Sequence, residues 1–149
     1  MTPAGGLVIA TSAAFAILTG GPGAEWLLST LAESPRSVMP APAYLELGMV
    51  IESRLGQSGT GLAARFVRDA EVEVIELGAR AAERGLEGWR RYGKGRHPAK
   101  LNFGDCLVYG TALDLDLSII CTGDDFAQTN APVVRPPTGI EAHPSAGDG

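Results

Sequence analysis

Several very short apolar runs, each bounded by residues that interrupt regular structure, recur along this chain. Leu7–Ile9 follows a pair of glycines, and Ser118–Cys121 has only one polar residue. Runs this short and this apolar are typical of strands that are buried on both faces of a parallel sheet. Helical patterns separate them, so we predict an α/β fold with a mainly parallel sheet.

The rest of the chain alternates between extended and helical patterns. We expect further strands at Ser37–Met39 and at Glu71–Leu77, the latter a half-exposed edge strand because acidic and apolar residues alternate in it. Ser12 could cap the first helix. Prolines and glycines after Pro132 predict a disordered tail, which divides the chain into a domain at residues 1–131 and a tail at 132–149. The predicted helices cover residues 12–18, 23–32, 43–55, 61–70, 79–92 and 104–115.

Composition limits the function classes. The formal net charge is -5 over 149 residues, so the molecule as a whole is not an electrostatic binder of nucleic acid, and any such function must depend on local charge. Cys106 and Cys121 form no C-x-x-C motif and are expected to be free core thiols in a reducing compartment. The apolar stretch 5–18 has no preceding Lys or Arg and is interrupted by Thr11 and Ser12, so we expect a cytoplasmic protein without a membrane segment.

Acidic residues follow the predicted strands, at the edge where ligands bind in open parallel sheets. Glu46 lies on an apolar helical stripe, where burial of its charge is costly unless a cation or a hydrogen-bond donor binds it. Alternatively, its carboxylate reaches the helix edge or pairs with an arginine, and both interpretations remain open. Asp124 and Asp125 directly follow the last strand, and one of two adjacent aspartates is usually structural. Like charges this close repel, and a divalent cation relieves the repulsion.

Asp105 falls in the first turn of a predicted helix. There the helix dipole favours a negative charge, so we expect a lowered pKa. Asn102, three residues earlier, resembles the first member of a capping box, which by itself explains the aspartate. The topology nevertheless brings Glu46, Asp105 and the Asp124–Asp125 pair to one edge of the sheet. Oxygen ligands without His or Cys select Mg²⁺ or Mn²⁺ over zinc.

A basic segment at residues 90–100 holds five of the twelve Lys and Arg residues and no acid. An isolated basic run is most often a solvated loop, but this one directly precedes the Asp105 helix, where cations would hold the phosphates of a phosphodiester. Tyr92 could offer a stacking face. We expect His97 to be a surface or hydrogen-bonding residue rather than a catalytic base. The candidate phosphate-binding residues are Arg90, Arg91, Lys94, Arg96, His97 and Lys100.

The segment Tyr92–Cys106 (YGKGRHPAKLNFGDC), with Tyr44–Glu46 and Gly123–Phe126 at fitting intervals, resembles the PIN-domain toxins of VapBC toxin–antitoxin systems. The resemblance runs from about Leu7 to Asn130. It implies a three-layer α/β/α PIN fold and an endoribonuclease that cleaves structured RNA of the tRNA or rRNA class. It also implies a VapB-type antitoxin as partner and a homodimer. By resemblance, the ligands of Mg²⁺ or Mn²⁺ would be Glu46, Asp105 and either Asp124 or Asp125.

The first motif departs from the family, which has an aspartate at the end of strand one, followed by Thr-Ser-Ala. Here the aspartate position is Ala10, a vacated metal-ligand position, while Thr11 and Ser12 supply only hydroxyls. The chain is then either a toxin disarmed at Ala10 or a natural non-catalytic PIN protein that binds RNA or an antitoxin. We favour the disarmed toxin because the other acids remain. A phosphoacceptor domain of the receiver type is a third alternative, to which the basic segment is foreign.

Overall fold

The apolar runs form strands in the computed structural model, which describes residues 5–137. Within these residues one five-stranded sheet has the order β3-β2-β1-β4-β5, and each pair of neighbours is parallel. The predicted parallel α/β fold is confirmed. The strands are β1 (Leu7–Ile9), β2 (Ser37–Pro40), β3 (Glu73–Ile75), β4 (Ser118–Ile120) and β5 (Val133–Val134).

The helices begin and end close to the predicted bounds. Pro42 lies in the first turn of the third helix, where its missing N–H costs no hydrogen bond. Gly20 ends the first helix in the left-handed conformation that favours glycine. Short 3-10 turns occupy Gly56–Gly59 and Phe126–Gln128. The helices are α1 (Thr11–Thr19), α2 (Ala24–Glu33), α3 (Ala41–Leu55), α4 (Leu62–Asp69), α5 (Ala79–Tyr92) and α6 (Phe103–Leu115).

Burial of the central strands explains the layered architecture. Every residue of β1, β2 and β4 is buried, which requires helices on both faces of the sheet. On one side of the sheet α5 and α6 pack so closely that a Cβ at Gly85 would come 2.7 Å from the backbone oxygen of Cys106. The chain leaves β1 for β2 on one side, and β4 joins β1 on the other, so strand order reverses at the carboxyl ends of β1 and β4.

Two local predictions need correction. Ser12 does not cap α1: the N-cap is Ala10, without a side-chain hydrogen bond, and the Ser12 hydroxyl accepts instead from the backbone N–H of Thr122 at 3.2 Å. The boundary at residue 131 lies too early, because Val133–Val134 pairs with β4 as an edge strand. Residues 138–149 of the predicted tail lie outside the described residues. No helix in residues 5–137 is long and apolar enough to cross a membrane.

Candidate active site

Glu46 reaches the carboxyl edge of the sheet from the second turn of α3. Its half-buried carboxylate accepts a hydrogen bond at 3.1 Å from the hydroxyl of Thr11, the residue with which α1 begins after β1. Gly104 leaves room for it, since a Cβ there would lie 2.5 Å from Glu46 Oε1. The carboxylate thus turns inward toward β1 and α6. This orientation favours a carboxylate that faces a cation or a donor over one that pairs with an arginine at the helix edge.

Asp105 is the third residue of α6 and forms the predicted capping box. The Asn102 side chain accepts from the Asp105 N–H at 2.8 Å, and the Asp105 carboxylate accepts from the Asn102 N–H at 3.1 Å. Burial, with smaller contributions from the charges of Asp125 and Glu46, raises the pKa of Asp105 from 3.8 to about 6, against the lowering effect of the hydrogen bond from the Asn102 N–H. The expectation of a lowered pKa was wrong, because burial and the neighbouring carboxylates outweigh the hydrogen bond that the Asn102 N–H donates to the charged carboxylate.

Asp124 and Asp125 point to different surroundings. Arg135 donates at 2.7 Å to the Asp124 carboxylate and at 2.7 Å to the carbonyl oxygen of Gly123. Asp125 lies close enough to Asp105 for its charge to raise the Asp105 pKa. Glu46 and Asp125 therefore lie within electrostatic range of Asp105, whereas Asp124 is paired with Arg135. The sequence analysis missed Arg135 because it assigned position 135 to a tail.

Ala10 ends β1 at the same edge and is 2% exposed. Its backbone N–H donates to the carbonyl oxygen of Ile120, so the position is fixed by the β1–β4 ladder. Thr11 and Ser12 use their hydroxyls inside the protein, the first toward Glu46 and the second toward Thr122. Both residues thus support the edge, and neither hydroxyl takes the place of a carboxylate at position 10.

The candidate ligands at this edge are carboxylate oxygens, which suit a hard divalent cation. Within residues 5–137, neither Glu46 nor Asp105 forms an ion pair with an arginine. Their spacing does not form a closed cage: no three His, Cys, Asp or Glu residues within that range lie close enough to hold an ion between them. Mg²⁺ commonly keeps several waters and binds through one or two carboxylates, so the set fits a largely hydrated ion held weakly.

The basic segment 90–100 is folded back on itself directly before α6. Lys94 N–H donates to the carbonyl oxygen of Leu101, and Leu101 N–H donates to that of Tyr92, each at 2.9 Å. His97 accepts from the Ala99 N–H at 3.0 Å and packs edge-on against Tyr92, in agreement with the hydrogen-bonding role expected for it. Tyr92 is buried, so it offers no stacking face, and that suggestion was wrong.

The cations of this segment remain at the surface. Arg96 stacks on the Trp89 ring with its guanidinium carbon 4.0 Å from the ring centre, and Arg91 lies 4.9 Å from the centre of the Tyr92 ring. Both arginines are thereby held in place at the surface. The exposed cations of the segment are Arg90, Arg91, Lys94, Arg96 and Lys100.

An apolar groove of about 700 Å³ opens between α5 and the start of α6. Its lining includes Leu86, Trp89 and Phe103, and Phe103 is 80% exposed although it stands two residues before Asp105. Lys94 contributes a cation to the same lining. Exposed apolar patches beside a functional edge are typical of surfaces that bind another macromolecule.

Comparison with known proteins agrees with this geometry. The family model described as PIN domain matches residues 7–131. A Ribonuclease VapC of Mycolicibacterium smegmatis is 39% identical over 129 residues, which is 87% of this chain and all of that protein. Ribonuclease VapC30 of Mycobacterium tuberculosis is 35% identical over 131 residues, covering 88% of this chain and all of the relative.

Solved structures share the fold at low sequence identity. Mycobacterium tuberculosis VapC20, described as a sarcin–ricin loop cleaving toxin, superposes with a TM-score of 0.70 at 19% identity, over 87% of this chain and 99% of that one. A chain of a toxin–antitoxin complex from Klebsiella pneumoniae gives a TM-score of 0.65 at 20% identity, over 87% and 97% of the two chains.

Proposed function

This chain belongs to the PIN-domain family and is a VapC-type ribonuclease toxin, and from that premise we propose that Ala10 leaves it a weak or inactive nuclease. The observation that carries the proposal is that the charges of Glu46 and Asp125 both act on Asp105, at an edge where position 10 supplies only a methyl group. With a carboxylate at position 10, we propose that the protein would catalyse metal-dependent endonucleolytic cleavage of structured RNA of the tRNA or rRNA class.

Mg²⁺ or Mn²⁺, when bound, would supply an activated water and neutralise charge on the phosphodiester. Glu46, Asp105 and Asp125 would hold the ion, directly or through water, while Asp124 stays paired with Arg135. Thr11 orients the Glu46 carboxylate by its hydrogen bond. With a pKa of about 6, Asp105 is largely ionised at neutral pH and available as a ligand.

Replacing Ala10→Asp tests the proposal. We expect Ala10→Asp to cleave a sarcin–ricin loop hairpin or a tRNA pool with Mn²⁺ about a hundredfold faster than the parent chain. A bound ion stabilises such transition states by several kcal/mol, and the added carboxylate should raise the occupancy of the ion. Ala10→Asn is the matched control, equal in size but uncharged, and should remain weak. Equal rates in all three proteins would refute disarming at residue 10.

The natural non-catalytic alternative predicts a different pattern. If Ala10→Asp also fails to cleave any of the RNAs while the parent chain binds RNA or an antitoxin, the fold serves binding without chemistry. The charges of Asp125 and Glu46 acting on Asp105 favour the disarmed toxin over this alternative.

For substrate binding we propose the exposed cations of residues 90–100, with His97 in a supporting position. Their support is local: a protein of net charge -5 places five cations and no acid next to the helix that carries Asp105. Phosphates approaching along this segment would arrive beside the three carboxylates, where a bound cation offsets their repulsion. Stacking on Trp89 would hold Arg96 ready for a phosphate.

For partners we propose a VapB-type antitoxin seated in the apolar groove, where it would cover the approach to Asp105. The support is the exposure of Phe103 and Trp89 on a surface that abuts the acidic edge. A homodimer, which the family resemblance implies, would use the same kind of apolar surface. Light scattering on Phe103→Ser distinguishes a homodimer contact from antitoxin binding. Two free buried thiols, Cys106 and Cys121, suit work in the cytoplasm.

A further inference from the structure

Arg135 stands one residue beyond β5, in a segment that its composition assigned to a tail. The β4–β5 ladder fixes its position, because Cys121 N–H donates to the carbonyl oxygen of Val134 at 3.1 Å and Ile120 pairs with Val134. The last strand therefore delivers a guanidinium to the turn that follows β4, which is the turn that carries both aspartates.

The guanidinium makes two hydrogen bonds to this turn. Nη1 of Arg135 donates to Gly123 O and to Asp124 Oδ1, both at 2.7 Å. Gly123 has a φ of 79°, a conformation that few other residues adopt, and this shapes the turn that carries the two aspartates. The Asp124 carboxylate is largely exposed, and ion pairs with such carboxylates contribute little to stability. The consequence of this pair is therefore the orientation of the Asp124 side chain rather than a gain in folding free energy.

We propose that Arg135 is a positioning residue that selects which of the two adjacent aspartates serves the metal site. By pairing with the exposed Asp124 it leaves Asp125 as the carboxylate of this turn whose charge acts on Asp105. Without the guanidinium, both carboxylates of the turn compete for one place beside Asp105, and their mutual repulsion spreads them over several arrangements. The inference rests on the proposed function, since it presumes that the acidic edge holds a divalent ion.

The test measures Mn²⁺ affinity by calorimetry and RNA cleavage side by side in the Ala10→Asp protein. We expect Arg135→Gln to raise the Mn²⁺ dissociation constant about tenfold, as is usual when a residue that orients a ligand is removed. Arg135→Lys, which keeps the charge and one donor, should recover part of the affinity. Arg36→Gln is the matched control, because Arg36 also pairs with an exposed carboxylate, Glu73, but precedes β2 at the opposite edge.

A second readout separates positioning from general loss of structure. With Arg135 present, Asp125→Asn should weaken Mn²⁺ binding far more than Asp124→Asn, whose amide oxygen can still accept from the guanidinium. In the Arg135→Gln protein the two substitutions should become similar, because either aspartate can then approach the ion. A merely structural arginine would lower affinity without changing this ratio.

Two results would overturn the inference alone: an Arg135→Gln protein that binds Mn²⁺ and cleaves RNA like Arg36→Gln, or an Asp125-to-Asp124 ratio that Arg135→Gln leaves unchanged. Failure of Ala10→Asp itself both to bind Mn²⁺ and to cleave RNA would overturn the proposed function together with the inference.

Discussion

Asp105→Asn should stabilise the metal-free protein at neutral pH, although it removes a proposed ligand. Burial and the neighbouring carboxylates raise the Asp105 pKa from 3.8 to about 6. An acid with a higher pKa in the folded state binds its proton more tightly when folded, so its charged form opposes folding. That penalty is complete above about pH 6 and disappears as the pH falls toward 4.

The size of the effect follows from the same pKa. One pH unit of pKa difference corresponds to about 1.4 kcal/mol, which would give an upper limit of about 3 kcal/mol. Because the carboxylate is only partly buried, solvent screening reduces this to about 1 kcal/mol. For a chain of this size we expect Asp105→Asn to melt about 3 °C higher than the parent at pH 7.5.

Thermal melts in EDTA at pH 7.5 and pH 4.5 would measure this difference, with the exposed Asp69→Asn as control. The asparagine oxygen can still accept the Asn102 N–H, so the capping box is kept. The gain should shrink at pH 4.5, and excess Mn²⁺ should raise the melting temperature of the parent but not of Asp105→Asn. A pH-independent difference, or a loss of stability at pH 7.5, would refute the reasoning.

Three further predictions concern the edge and its surroundings. In the Ala10→Asp protein, Gly104→Ala should cut cleavage at least about tenfold with a small change in melting temperature, because the new Cβ displaces only the flexible end of Glu46; cleavage at the Ala10→Asp rate would contradict this. Arg90→Ala with Arg91→Ala should weaken RNA binding and lower the salt slope by about 1.4 if both contact phosphates of single strands, as fluorescence anisotropy over a salt series would show; an unchanged slope excludes those contacts. Phe103→Ser should weaken binding of a co-expressed antitoxin at least about tenfold in pull-down titrations, whereas an unchanged affinity with loss of a dimer in light scattering would assign the groove to a second copy.

Sequence patterns predicted the central strands of the sheet because each of them is a short, mainly apolar run of residues, which can be recognised without knowing its neighbours. The same reasoning missed β5, since two valines between Pro132 and Arg135 have no periodicity, and their partner β4 is remote in the sequence. The capping box was readable because it is local, with Asn102 and Asp105 three residues apart.

The failures share one cause, which is dependence on remote segments. The raised pKa of Asp105 reflects burial together with the charges of Asp125 and Glu46, and no window around residue 105 contains either one. The burial of Tyr92 depends on packing against Tyr109 and His97. The choice between Asp124 and Asp125 depends on Arg135, eleven residues further along and brought back by an edge strand.

Ala10 links stability to metal binding, and this gives the Ala10→Asp protein a second signature. A carboxylate at the buried position 10 would add a further negative charge to an edge that already carries Glu46, Asp105 and Asp125. In EDTA it should therefore lower stability by like-charge repulsion and by its own burial. Saturating Mn²⁺ should then restore at least the parent melting temperature, because a ligand that binds only the folded state stabilises it. The parent chain, lacking that carboxylate, should respond far less to Mn²⁺. If Ala10→Asp were as stable as the parent in EDTA and responded no more strongly than the parent to Mn²⁺, residue 10 would not face the site, and the case for a vacated ligand would fail independently of any cleavage assay.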